Sequence, residues 1–154
     1  MIKVLFVCLG NICRSPMAEM MFKDFVKKHG MQNKFHIESC ATSYEEEGNG
    51  LHYGAIDILN RHNIHIDPHK AHRLQKSDYD KFDYLIGMEE SNIYNIMRII
   101  DEDPKHKVYR LLDFSNNPRD ITDPWYTGNF VKTYDDLQEG LNAFLTSIIS
   151  KIND

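Results

Sequence analysis

The chain predicts an α/β fold, a single domain over residues 1–154 with a four-stranded, mostly parallel sheet covered by helices on both faces. Three observations carry this. Short, nearly continuous apolar runs such as Val4-Leu5-Phe6-Val7 read as strands buried on both sides. Between them lie longer segments whose apolar residues recur every three or four positions, the period of an amphipathic helix. No internal repeat interrupts the alternation, so right-handed crossovers should gather the functional loops at the carboxyl edge of the sheet.

Taken in order, Lys3 to Cys8 is the first strand. Pro16 to His29 is helical, with Ala18, Met21, Phe22 and Phe25 on one face, Ser15 and Pro16 read as N-cap and first position, and Gly30 as the stop. Phe35 to Cys40 alternates apolar and polar residues and belongs near a sheet edge. Ala41 to Gly50 is an acidic, glycine-containing loop. Leu51, Ala55, Ile58 and Leu59 then predict a helix closed by His62 and a left-handed Asn63. A charged connection through His69, His72 and Arg73 precedes the third strand, Phe82 to Met88, and a helix from Glu89 to Ile100. Lys107 to Leu112 is the fourth strand. Asn116 to Lys132 has no period and is longer than a connection requires, which marks it as functional. Thr133 with Asp136 reads as the capping box of a last helix, whose stripe is Leu137, Leu141, Phe144, Leu145 and Ile148.

Composition narrows the function. A chain of 154 residues buries roughly 70% of the surface exposed by its unfolded form, enough for one core. The net charge of -5 gives no footing for nucleic acid. Met1-Ile2-Lys3 runs directly into the first strand without the apolar region of a signal peptide, and no stretch is long enough for membrane insertion. Three cysteines, an odd number, do not form a secreted disulfide framework, so a cytoplasmic setting is expected.

The chemistry concentrates between Val7 and Met17, VCLGNICRSPM. Strand, tight loop and helix start present backbone N–H groups to an anion. Gly10 and Asn11 tolerate unusual dihedrals, and Arg14 adds a planar, permanently charged fork suited to phosphate oxygens. The residues from Leu9 through Gly10, Asn11, Ile12, Cys13 and Arg14 to Ser15 thus form an N-terminal phosphate-binding loop, with Cys8 as a nucleophile at its base. Ser15 is placed to hydrogen-bond that sulfur. In the long later loop, Asp123 in DPWYTGN is the favoured proton donor, stiffened by Pro124, with Asp120 as its rival. Trp125 and Tyr126 offer an aromatic wall.

The run VCLGNICRSP resembles the signature of the low-molecular-weight protein tyrosine phosphatases, and the resemblance extends along essentially the whole chain. It implies a phosphotyrosine hydrolase working through a phosphocysteine, with Cys8, Arg14 and Asp123 catalytic and Asp123 later acting as base for water. It also implies Leu9 and Tyr44 as wall residues opposite Trp125 and Tyr126. Asn11, Ser15, Ser39 and His69 would support the loop, and Glu89, where the family usually has aspartate, would orient Arg14. Cys13 would trap Cys8 as a disulfide on oxidation. No cofactor and no metal are implied, and Cys40 with scattered histidines makes a weak ligand set. The expected partners are phosphotyrosine proteins, with inorganic phosphate or other oxyanions as competing ligands.

Three alternatives stay open. Thiol-linked arsenate reductases share the loop but need further cysteines in the later half, and none follows Cys40. Protein-arginine phosphatases resemble GNTCRS, whereas this chain has Ile12 in place of the threonine. A non-catalytic phosphotyrosine-binding module is the reading from another class, and the intact Cys8, Arg14 and Asp123 set speaks against it.

Overall fold

In the computed structural model, which describes residues 1–153, the first strand is the axis of the molecule. Four parallel strands, β1 (Ile2–Cys8), β2 (Phe35–Ala41), β3 (Tyr84–Gly87) and β4 (Val108–Arg110), are ordered β2-β1-β3-β4. The continuous apolar run of β1 is explained by its two covered faces. Val4, Phe6 and Cys8 join one core cluster, while Leu5 and Val7 join the other with Leu85, Ile96 and Ile100. β2 lies at an edge, as its alternation predicts.

Among the described residues six α-helices flank the sheet: α1 (Arg14–Lys28), α2 (Tyr53–Arg61), α3 (Asp78–Lys81), α4 (Glu90–Ile100), α5 (Pro124–Thr127) and α6 (Phe130–Asn153). α1 and α6 pack on the Phe6 side, where Phe22 meets Phe6, Phe35 and Phe144 with ring centroids 5.8, 5.4 and 5.3 Å apart. α1 stops at Gly30, whose φ of 67° lets its N–H reach Lys27 O and the N–H of Met31 reach Val26 O. Asn63, at φ 57°, follows α2 in the same left-handed conformation.

Several boundaries differ from the sequence reading. α1 begins at Arg14 with Cys13 at its N-cap, so Ser15 and Pro16 lie within the first turn and Ser15 does not cap it. Proline is tolerated there because a first-turn N–H has no partner within the helix. α2 starts after Leu51, with His52 Nδ1 accepting from Gly54 N at 3.0 Å. α3 is a single turn in the charged connection that shows no apolar period. β3 and β4 are shorter than predicted, and Leu111–Phe114 coils into a 3₁₀ turn instead of continuing the strand. Within the long loop, α5 follows Asp123, and α6 starts at Phe130. Asn129 Oδ1 caps α6 by accepting from Lys132 N at 3.0 Å. The expected Thr133 and Asp136 capping box is absent. The Thr133 hydroxyl donates to the Asn129 and Thr122 carbonyls, and Asp136 pairs with Arg119 and Lys132.

Gly140, a poor helix former in mid-α6, has a packing reason. A Cβ at that position would lie 2.6 Å from Leu111 Cγ, so the bare backbone admits the 3₁₀ turn against the helix. Helix propensity alone makes Gly140→Ala stabilising by about 1 kcal/mol. Because Leu111 is fully buried and cannot swing aside, we expect the opposite sign, a loss of about 1–3 kcal/mol from overpacking. Urea unfolding of the two proteins measures it.

Candidate active site

The parallel register brings the carboxyl ends of three strands together, with Cys8 beside Ala41 and Val7 beside Gly87. Cys8 is the last residue of β1 and Arg14 the first of α1, and the loop between them closes on the sulfur. The N–H of Asn11 donates to Cys8 Sγ at 3.3 Å, and Ser15 Oγ stands 3.0 Å from the same atom. Such a turn needs a left-handed residue, and Asn11 supplies it at φ 60°. Its buried amide compensates by donating to Ser15 Oγ at 2.8 Å and Ser39 Oγ at 3.0 Å. The Asn11 carbonyl accepts from His69 Nε2 at 2.8 Å. From α2's start, His52 N fixes the Ile12 carbonyl at 2.9 Å.

Arg14 is 1% exposed, so its charge has to be matched by protein groups. One guanidinium nitrogen donates to Ile121 O at 2.9 Å. The other lies 3.3 Å from Glu89 Oε1 and 3.4 Å from Asp123 Oδ2. Burial alone would lower its pKa. The negative charges of Cys8, Asp123 and Glu89 outweigh that and move it upward, leaving the guanidinium charged. Asp123 also caps α5, accepting from Trp125 N at 3.0 Å, which holds its carboxyl at the cleft. Asp120, three residues earlier, is occupied elsewhere by Glu90 N and Arg110 Nη1, at 2.9 and 3.0 Å.

The cleft above the sulfur is lined by Cys8 through Arg14, by Asp123, Trp125 and Tyr126, and on the far side by Glu45 and Glu46. Trp125 is 55% exposed and therefore wall, not core. Tyr44, expected on the opposite wall, does not line it. Its ring lies beneath the Arg73 guanidinium, 4.6 Å away, and its hydroxyl accepts from Arg73 Nη1 at 3.3 Å, so the glutamates occupy that side instead. The sequence reading also missed Glu19, which accepts from Ser39 Oγ at 2.6 Å, and the Ile121 carbonyl on Arg14. Glu19 follows Ser15 by one helical turn, a spacing that places both on one face of α1. Its partner on β2 is fixed only by the fold.

The family model for low molecular weight phosphotyrosine protein phosphatase matches residues 3–153. The chain belongs to this family. The low molecular weight protein-tyrosine-phosphatase YfkJ of Bacillus subtilis is 39% identical over 150 residues, covering 96% of each chain. Its crystal structure superposes with a TM-score of 0.95 at 38% identity, over 98% of this chain and 96% of that one. The low molecular weight phosphotyrosine protein phosphatase of Saccharomyces cerevisiae is 41% identical over 130 residues, 81% of this chain and 80% of its own. An arginine phosphatase from Drosophila shares the family's fold with a TM-score of 0.88 at 27% identity, over 96% of this chain and 98% of that one. Fold alone therefore does not separate a phosphate ester from a phosphoramidate. Among the described residues no helix is long and apolar enough to cross a membrane.

Proposed function

We propose that the protein is a tyrosine phosphatase that hydrolyses phosphotyrosine in proteins through a phosphocysteine. The observation that carries this is the convergence of Cys8, Arg14 and Asp123 on one cleft walled by Trp125 and Tyr126. The Cys8 thiolate attacks phosphorus, the S–P bond forms, and the P–O bond to the phenol breaks. Loop N–H groups and Arg14 hold the equatorial oxygens and offset their charge. Protonated Asp123 gives its proton to the departing phenolate oxygen. In the second step Asp123 takes a proton from water as the water oxygen bonds phosphorus, and the S–P bond breaks to release phosphate. The Ser15 hydroxyl stabilises the sulfur as it leaves.

An entering phosphate dianion competes with Asp123 for the Arg14 guanidinium, 3.4 Å away, which frees the carboxyl for the leaving group. Inorganic phosphate and related oxyanions compete for the same donors. The exposed aromatic wall suits a phenyl ring carried to the depth of the loop, and Ile12 presents an apolar side chain where a hydroxyl would suit a phosphoramidate.

Cys13 lines the same loop at 4% exposure, and its thiol is pushed up to about 12 by burial and then by the negative charges of Cys8 and Asp123. It therefore stays protonated while Cys8 reacts. Peroxide oxidises Cys8 to the sulfenic acid, which the Cys13 thiol converts to a disulfide with loss of water, shielding Cys8 from further oxidation.

Three outcomes test this reading. On matched peptides, kcat/KM should be highest for phosphotyrosine; higher efficiency on phosphoarginine overturns the substrate assignment. Asp123→Asn should slow hydrolysis of a phenyl ester by about 10² to 10⁴-fold, with a much smaller loss for a nitrophenyl ester, whose leaving group needs less protonation. It should also flatten the alkaline limb of the pH profile, while Asp120→Asn keeps both. After mild peroxide and then a dithiol, the parent should recover activity and Cys13→Ala should not, with thiol mapping by mass spectrometry locating a Cys8–Cys13 link in the parent alone.

A further inference from the structure

Glu19 is a buried carboxylate that no step of the reaction uses. It is 8% exposed on α1, and its two oxygens accept from different groups, Lys23 Nζ and Ser39 Oγ, each at 2.6 Å. From there to the sulfur every hydrogen can be assigned. The carboxylate facing Lys23 only accepts, so the Ser39 hydroxyl hydrogen is committed to Glu19 and Ser39 Oγ is left to accept. Asn11 Nδ2 fills that place at 3.0 Å. The amide's orientation is fixed from its other side, where the backbone N–H of His72, a donor only, faces Asn11 Oδ1 at 3.4 Å. The second Nδ2 hydrogen goes to Ser15 Oγ at 2.8 Å. Ser15 then keeps one hydrogen for two acceptors, Cys8 Sγ at 3.0 Å and the Cys40 carbonyl at 3.4 Å, and a bond to a charged sulfur is the stronger. In the reverse direction Ser39 would have to donate to an amide nitrogen that accepts nothing, leaving a buried hydrogen without a partner.

We propose that Glu19 is a positioning residue: by taking the Ser39 hydroxyl hydrogen its carboxylate keeps Ser39 Oγ as the acceptor that anchors the Asn11 amide, and the anchored amide leaves the Ser15 hydroxyl to donate to Cys8 Sγ. The proposal rests on Cys8 being the nucleophile and adds the group that orients its donor. Lys23 supplies the counter-charge the buried carboxylate requires and is itself bridged to Asp67 at 2.9 Å. Burial alone would lower the Lys23 pKa, but its hydrogen bonds to Glu19 and Asp67 outweigh this and raise it, so the cation persists. The bridge carries the chain from the sulfur to the surface, where Lys23 and Asp67 are both partly exposed.

The test has a sign that simple electrostatics does not share. Glu19→Gln removes a negative charge, which by Coulomb's law alone favours the thiolate and moves the pH midpoint of Cys8 alkylation downward. Loss of an oriented donor moves it upward. The other charged or titratable groups around Cys8 and its loop, namely Arg14, Cys13, Cys40, Glu45, Glu46, His69, Glu89 and Asp123, are unchanged in the variant. With iodoacetate as probe and modification read at Cys8 by mass spectrometry, we expect the midpoint of Glu19→Gln to rise by about one pH unit. That is a tenfold lower thiolate fraction below the midpoint. Phosphocysteine should accumulate in acid-quenched turnover, because its breakdown loses the same donor. In a Ser15→Ala background, Glu19→Gln should add no upward shift. An unmoved or lowered midpoint in folded Glu19→Gln overturns the proposal, as does full additivity with Ser15→Ala. Should Glu19→Gln fail to fold, Ser39→Ala breaks the same link while Glu19 stays paired with Lys23, and it must give the upward shift or the proposal fails. Alkylation needs no substrate, so wild-type turnover of an aryl phosphate, measured alongside, reports on the phosphatase reading separately.

Discussion

A guanidinium with 1% of its surface in water constrains this molecule more than any other group. Removing such a charge from solvent costs several kcal/mol unless anions and carbonyls replace the lost water. For Arg14 they come from two distant parts of the chain, Glu89 at the start of α4 and the Ile121 to Asp123 segment 107 residues and more along the chain. The Ile121 N–H in turn bonds Met88 O at 2.9 Å, at the end of β3. The requirement to neutralise one side chain thereby ties the first loop to the last, and it brings Asp123 to the cleft as part of Arg14's own solvation.

The same requirement explains why the long segment before α6 is not a free loop. Its two ends are held by different chemistry, Arg119 by Asp136 and Glu139 on α6, and Asp123 by α5, whose first turn it caps. Between these anchors Asp120 is drawn outward to Arg110 and the start of α4. Two acids three residues apart thus acquire different environments through their partners, one facing Arg14 across the cleft and one closing a surface network. The aromatic wall follows from this placement, because Trp125 and Tyr126 are the residues that the α5 turn lifts over the sulfur.

What could be read in the sequence is what is local. The β1 run, the loop from Cys8 to Arg14, the left-handed Asn11 and Asn63, and the Gly30 stop each depend on neighbours within a few residues, and all were legible. Elements whose form is set by distant packing were not. The Leu111–Phe114 turn coils because Gly140 opens a space for it, and α6 begins early because Asn129 caps it within a stretch of weak period. At the site the division is the same. That Asp123 lies in a functional stretch was suggested by its proline and aromatics, and it does line the cleft, whereas Glu19 looks like a polar helix residue until the fold sets it against Ser39, 20 residues away on β2. Tyr44 failed for a related reason, since Arg73, 29 residues on, holds its ring away from the wall.

The three thiols show how little burial by itself decides reactivity. Cys8, Cys13 and Cys40 are 3%, 4% and 0% exposed, so access to water does not distinguish them. Burial pushes the Cys40 thiol well above its ordinary value, and it does the same to Cys13. Neither of those two sulfurs accepts an N–H or O–H hydrogen bond among the described residues, whereas Cys8 has the Asn11 N–H and the Ser15 hydroxyl on it. Desolvation penalises Cys13 and Cys40 as anions, and neither has a donor to oppose that penalty. Each of the Cys8 donors depends on Asn11, whose backbone supplies one and whose amide fixes the other. Placing a left-handed asparagine three residues after the sulfur is therefore what gives Cys8 two donors that the other two thiols in the same core lack.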